Sequence, residues 1–233
     1  MSMDERADIA ADRRRLAQRA ALLDAASEML MRGGPDAISL RKLAAKVGTS
    51  TMAVYTAFGG KEGLINALFD EAFDRLAEAQ RAVPKAPEPL IWLQGLARAY
   101  RSFALENPSY YALMISVTMP VSESLRHEEP SCTTPPARGI AQQHGYQMLF
   151  DAVKACVAEG SLPSDVAPAI MADALWATVH GLCSLELAGF HTSAEGAEAR
   201  FSLTCGAVLK ALLTPKGLAK LEALAARPLK PEN

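Results

Sequence analysis

Residues 39–61 read Ser-Leu-Arg-Lys-Leu-Ala-Ala-Lys-Val-Gly-Thr-Ser-Thr-Met-Ala-Val-Tyr-Thr-Ala-Phe-Gly-Gly-Lys. Ser39 suits a helix N-cap, because a short hydroxyl can accept from a backbone N–H left without a partner in the first turn. Leu40, Leu43, Ala44 and Val47 then recur at helical spacing, and Gly48 can take the left-handed conformation that ends a helix. Thr49 and Ser50 offer a fresh cap. A second short helix is expected over about Thr51 to Phe58, with Ala53, Val54 and Phe58 facing inward. Two short helices around a Gly-containing turn form either a helix-turn-helix, whose second helix enters the DNA major groove, or an αα-hairpin inside an ordinary bundle.

Charge favours the first. From Arg13 to Lys61 there are nine basic residues (Arg13, Arg14, Arg15, Arg19, Arg32, Arg41, Lys42, Lys46, Lys61) against three acidic ones (Asp24, Glu28, Asp36), a window of +6 in a chain of net −2. The remainder therefore carries −8. A basic head on an acidic body is the asymmetry expected when one end meets a polyanion.

The runs Ser39-Leu-Arg-Lys-Leu-Ala, Val47-Gly-Thr-Ser, Val54-Tyr-Thr-Ala-Phe and Lys61-Glu-Gly-Leu together resemble the DNA-binding domain of TetR-type repressors, over roughly residues 13 to 70. The resemblance implies that Arg41, Thr49, Tyr55 and Lys61 contact phosphate, that Ser50 starts the recognition helix, and that Thr51 and Met52 read base edges. Ala57 departs from the pattern, standing where many relatives have a phosphate-contacting His. The partner implied is a double-stranded DNA operator, and the assembly a homodimer.

The rest of the chain reads as all-α. At 233 residues, half of them apolar, it can bury a sizeable core without staples. Four scattered cysteines (Cys132, Cys156, Cys183, Cys205) suggest neither a disulfide framework nor a zinc knuckle, and His127, His144, His180 and His191 lack ligand spacing. No metal or cofactor is expected. The acidic N-terminus is unlike a secretory signal and no apolar stretch reaches membrane-spanning length, so the expectation is a soluble cytoplasmic protein without membrane association.

Residues 1–12 read as a solvated arm, with a first helix from about Arg13 whose apolar face is Leu16, Ala20, Leu23, Ala26 and Leu30. The Arg13–Arg15 cluster at its start lies either near DNA backbone or simply in solvent. Lys61 opens a longer helix to about Val83. Helices are then expected over Leu90–Glu106, Tyr110–Val117, about Ile140–Glu159, Asp165–Gly189 and Ala197–Leu213, with a short amphipathic one over 215–226. The proline-rich 119–138 stretch reads as a long loop. The domains expected are 1–60 for DNA binding and 61–233 for effector binding and dimerisation.

One further motif is Trp176-Ala-Thr-Val-His180-Gly181, which resembles the Trp-x-x-x-His-Gly signature of a subgroup of TetR-type regulators. Trp176 and His180, four apart, present either a flat wall and polar handle to a ligand or a core indole and a structural imidazole. Trp92, Tyr100, Phe103 and Tyr110 are the other candidate lining residues, Tyr111 and Phe150 completing the aromatic set. The resemblance implies a small, mostly apolar effector. Ala174, Ala177, Gly181, Ser184 and Ala188 form a stripe of small residues that serves as protomer core or as dimer seam.

Two other function classes are compatible with parts of the chain. A helical interaction or ligand-binding protein without DNA binding needs only the C-terminal half. An enzyme would need Cys183 with His180, which has neither a third residue to orient the base nor a Gly-rich oxyanion turn, or His127 with Cys132, which falls in the long loop.

Overall fold

The computed structural model describes residues 3–115 and 140–226. Every regular element among them is helical. They run as α1 (Met3–Gly33), a 3₁₀ turn (Pro35–Ala37), α2 (Leu40–Val47), α3 (Thr51–Phe58), α4 (Lys61–Arg81), α5 (Pro89–Glu106), α6 (Pro108–Ile115), α7 (Ile140–Glu159), α8 (Pro168–Leu187), α9 (Ala194–Leu212) and α10 (Pro215–Ala225). The 119–138 stretch, with His127 and Cys132, lies outside the described residues.

Two compact units divide the chain, with one boundary inside α4 between Asp74 and Arg75. The first holds α1, α2, α3, the beginning of α4, and α6. Leu22, Leu23, Ala26 and Leu30 of α1 are buried, as are Leu43 and Ala44 of α2, Val54 and Phe58 of α3, and Leu64 and Leu68 of α4. Burial of several such side chains, each worth about 1.5–3 kcal/mol, holds helices as short as α2 and α3 that could not persist alone. α6 packs on α1, and the Tyr110 hydroxyl donates to Asp24 Oδ1 at 2.9 Å.

α1 corrects one expectation. Residues 3–12 are helical rather than an irregular arm, and Leu16 is exposed rather than inward-facing. The segment contains no Gly or Pro and carries Asp4 and Glu5 in its first turn, so it extends a helix already nucleated by the packed residues from Leu22 onward.

The second unit holds the end of α4, α5 and α7–α10. Its core joins Leu90, Trp92, Leu93 and Leu96 of α5 to Ala152, Val153 and Cys156 of α7, Met171 and Ala172 of α8, and Leu209 of α9. Pro168 occupies the first turn of α8, where its missing N–H costs nothing, so this helix starts three residues later than its sequence pattern suggests. Ser193 caps α9 by accepting from the Gly196 N–H at 3.0 Å, which starts that helix at Ala194 rather than Ala197.

Candidate nucleic-acid interface and effector site

The helix-turn-helix is built from local chemistry. Ser39 Oγ accepts from the Lys42 N–H, and Gly48 sits at φ 73°, a left-handed position that costs glycine little. Of the two candidate caps for α3, Ser50 is the one used, its Oγ accepting from the Ala53 N–H at 3.1 Å. The end of α3 then meets the start of α4 at Gly63, where an added Cβ would lie 1.8 Å from the Phe58 carbonyl oxygen. Only glycine permits that approach, which accounts for the Lys61-Glu-Gly-Leu run.

α3 has two unlike sides. Val54 and Phe58 are buried, whereas Met52 is 73 % exposed and Tyr55 51 %. Ser50 is exposed, Thr51 half-buried beside Met52, Arg41 exposed on α2, and Lys61 half-buried at the start of α4. The Thr49 hydroxyl accepts from Gln18 Nε2 at 2.7 Å, so α1 holds the turn before α3 in place. All seven sequence-predicted DNA residues thus fall in one compact unit. Ala57 is exposed as well.

Three contacts around this surface escaped the sequence reading. Gln18 is one. Arg19 places its guanidinium 5.1 Å from the centre of the Phe58 ring, buttressing the end of α3. Lys46 pairs with Glu28, which holds that carboxyl below its ordinary value, so one of the nine basic charges is locally neutralised.

In the second unit, Tyr100, Trp176 and His180 come together and Trp92 does not join them. The Tyr100 hydroxyl lies 2.9 Å from His180 Nδ1. The Trp176 and His180 rings are 5.7 Å apart, and Tyr146 of α7 meets Trp176 edge-on at 6.3 Å while stacking near-parallel on Phe150. Tyr146 Oη donates to Asp173 Oδ1 at 2.6 Å. Burial alone pushes the His180 pKa below its ordinary 6.5, so the imidazole is neutral at pH 7. Trp176 itself is 42 % exposed. Trp92 belongs to the core cluster, with Lys85 Nζ over its ring, and Phe103 is buried. Tyr110 belongs to the other unit, on α6, where it bonds to Asp24 of α1.

A family model described as bacterial regulatory proteins, tetR family, matches residues 22–68, and one described as Tetracyclin repressor-like, C-terminal domain, matches residues 93–208. The chain belongs to the TetR family of transcriptional regulators. It is 27 % identical over 200 residues to the HTH-type transcriptional regulator Rv1816 of Mycobacterium tuberculosis, covering 73 % of this chain and 80 % of that one. A Rhodococcus sp. RHA1 protein of unknown function superposes with a TM-score of 0.65 at 25 % identity, over 84 % of this chain and 96 % of that one. A TetR family transcription regulator from Marinobacter aquaeolei VT8 superposes at 0.66 with 19 % identity, over 87 % and 98 % of the two chains, a likeness of fold.

Cys183, one turn from His180 on α8, is buried. Burial pushes the Cys183 thiol up to about 12, which leaves it a poor nucleophile at neutral pH. Among the described residues no group of three or more His, Cys, Asp or Glu is placed to hold a metal ion, and no helix is long and apolar enough to cross a membrane.

The polar lock of the second unit has no signal in the sequence. Arg101 on α5 donates to both carboxylate oxygens of Glu186 on α8, at 2.8 and 2.7 Å, and also to Glu198 on α9. Arg98 adds a 3.1 Å bond to Glu198, and the Phe201 ring lies 5.2 Å from the Arg101 guanidinium. Arg101 and Glu186 are spaced 85 residues apart in the chain, beyond the reach of any local pattern.

Proposed function

We propose that this TetR-family regulator is a homodimeric, ligand-responsive repressor, with residues 1–60 binding DNA and 61–233 binding effector and dimerising. The observation that carries the DNA reading is the two-sided α3: a buried Val54–Phe58 side fixes the helix, and the side with Met52 and Tyr55 is turned out. Thr51 and Met52 read base edges in the major groove, while Arg41, Thr49, Tyr55 and Lys61 hold the backbone and Ser50 sets the start of the helix.

What supports the dimer is an uncovered face on α8 and α9. Ala174, Ala177 and Leu185 are exposed on α8 and Ala188 at its C-cap, as is Leu203 on α9 at 74 %, and a Cβ at Gly181 or Gly206 would meet nothing within 4 Å. Paired with a second copy, these faces make a four-helix bundle with close backbone approach. Two reading helices related by a two-fold axis require an approximately palindromic operator, with half-sites one helical turn or a simple multiple apart.

The effector reading rests on Trp176, His180 and Tyr100, together with the Trp-x-x-x-His-Gly subgroup signature; Trp92, Phe103 and Tyr110 carry packing roles in their own units. A small apolar effector that favours one placement of α4 acts on Lys61 through one continuous helix, and operator release follows when that placement mismatches the half-site spacing. The test is a mobility shift and footprint on DNA upstream of the protein's own gene. Protection of two symmetric half-sites is expected, and a protein that retards no DNA at low salt would leave the helical ligand-binding reading in its place.

A further inference from the structure

α1 takes hold of α3 at both ends. Gln18 reaches Thr49 in the turn before the first residue of α3, with 2.7 Å between the amide nitrogen and the hydroxyl oxygen. The next residue, Arg19, lies over the ring of Phe58 at the last residue of α3.

The polarity of the Gln18 contact fixes what Thr49 can do. A threonine hydroxyl has one hydrogen to give and two lone pairs to receive. With the Gln18 amide donating into one lone pair, the Thr49 hydrogen must point elsewhere. The backbone at this position has no donor left, because the Thr49 N–H is committed to the Ala44 carbonyl at 2.9 Å, where it closes the end of α2. The hydroxyl hydrogen is therefore the one donor that residue 49 can present to a ligand. Ser50 is in the same condition: its oxygen accepts from the Ala53 N–H at 3.1 Å, which leaves its own hydrogen to be given elsewhere. A DNA phosphate only accepts, and a hydroxyl that already accepts from an amide N–H is polarised to give its hydrogen more strongly.

We propose that Gln18 is a positioning residue for DNA binding: by donating to the Thr49 oxygen it aims the Thr49 hydroxyl hydrogen at a backbone phosphate. This rests on the Thr49 contact proposed above and deepens it. Gln18 is exposed and Thr49 half-buried, so in the free protein water can replace the bond and its loss barely touches the fold. The effect arises when docked DNA excludes that water, since an unaimed hydroxyl must then be turned toward the phosphate at the expense of binding.

The test is a mobility shift with the full-length protein and the double-stranded DNA upstream of its own gene, with melting temperatures measured alongside. Gln18→Glu keeps a hydrogen bond at this position and reverses it, because a carboxylate can only accept and so takes the Thr49 hydrogen away from the phosphate. Its negative charge also repels DNA, and Thr49→Val, which removes the hydroxyl, isolates that repulsion. Gln18→Glu should therefore weaken binding about tenfold more in the wild-type background than in Thr49→Val. Gln18→Ala, which leaves the hydroxyl unaimed, should weaken binding about threefold with an unchanged melting temperature. Thr49→Ser, which retains a hydroxyl, should retain the sensitivity to Gln18→Glu. An equal loss from Gln18→Glu in the wild-type and Thr49→Val backgrounds, a Thr49→Ser protein insensitive to it, or a clear melting loss in Gln18→Ala would each overturn the proposal and leave the Thr49 contact standing. Thr49→Val that binds as tightly as the wild type overturns the contact itself, and a wild type that retards no DNA overturns the DNA reading; the proposal falls with either.

Discussion

The Tyr100 hydroxyl and His180 Nδ1, 80 residues apart in sequence, meet at 2.9 Å across α5 and α8. This contact gives the imidazole of the Trp-x-x-x-His-Gly motif a partner within the protomer. His180→Phe should therefore lower stability by about 1 kcal/mol, the net value of one hydrogen bond, in denaturant unfolding. Paired with that, the effector concentration for half-release from operator DNA should rise if His180 also touches effector. An unchanged half-release concentration with a clear stability loss would assign His180 a purely structural role.

The same residue sets a pH response. Because burial depresses the folded-state pKa of His180 below 6.5, the unfolded chain binds the proton first as pH falls. Its contribution to stability is intact above pH 6.5 and is lost progressively below it, as pH falls toward the folded-state value. The wild type should accordingly lose more stability between pH 7 and pH 5.5 than His180→Phe does. Parallel stability curves for the two proteins would mean that His180 titrates normally in the folded state.

Lys61, at the first position of α4, is expected to contact phosphate. Lys61→Ala should weaken binding to all DNA sequences alike and flatten the logarithmic salt dependence by about one unit. An unchanged slope removes Lys61 from the backbone contacts. Ala57→His adds a donor on the exposed side of α3 and should tighten binding without altering sequence preference.

Ala177 lies on the uncovered α8 face. Ala177→Trp should give a monomer in sedimentation with its helicity retained, because the indole projects from the protomer surface rather than into its core. A variant that stays dimeric would place the seam elsewhere.

Arg101 closes the α5–α8–α9 junction with both ends of the Glu186 carboxylate. Arg101→Ala should cost on the order of 3 kcal/mol, since it leaves a largely buried Glu186 without its bidentate partner. The double variant Arg101→Met, Glu186→Leu should recover most of the loss. A cost below about 1 kcal/mol in the single variant would mean that water reaches Glu186 readily.

The helix-turn-helix was legible residue by residue because its determinants are local. The Ser39 and Ser50 caps, the Gly48 stop and the Val54–Phe58 spacing each act within four or five residues, so sequence distance and spatial distance coincide. The Gly160 stop of α7 was readable for the same reason. Helix starts were less so. α1 begins ten residues earlier than its amphipathic pattern, because an exposed run of good helix formers needs no apolar face once a packed neighbour has nucleated it. The aromatic set divided in a way that composition does not encode: Trp92 went to a core cluster, Tyr110 to the α1 face of the first unit, and only Tyr100 joined Trp176 and His180.

The sequence by itself determined an all-α chain with a DNA-reading head, since period, capping and charge asymmetry are properties of neighbouring residues. Only the tertiary structure decided that Arg101 would lock Glu186, that Tyr100 would engage His180, that Ala174, Ala177 and Ala188 of the small-residue stripe would be exposed, and that Gln80 would be buried without a donor among the described residues. The physical reason is one of range. A cap or a turn is satisfied by atoms a few bonds away, whereas a buried side chain finds or lacks its partner according to which helices pack against it, and that choice is made by the sum of apolar contacts over the whole unit.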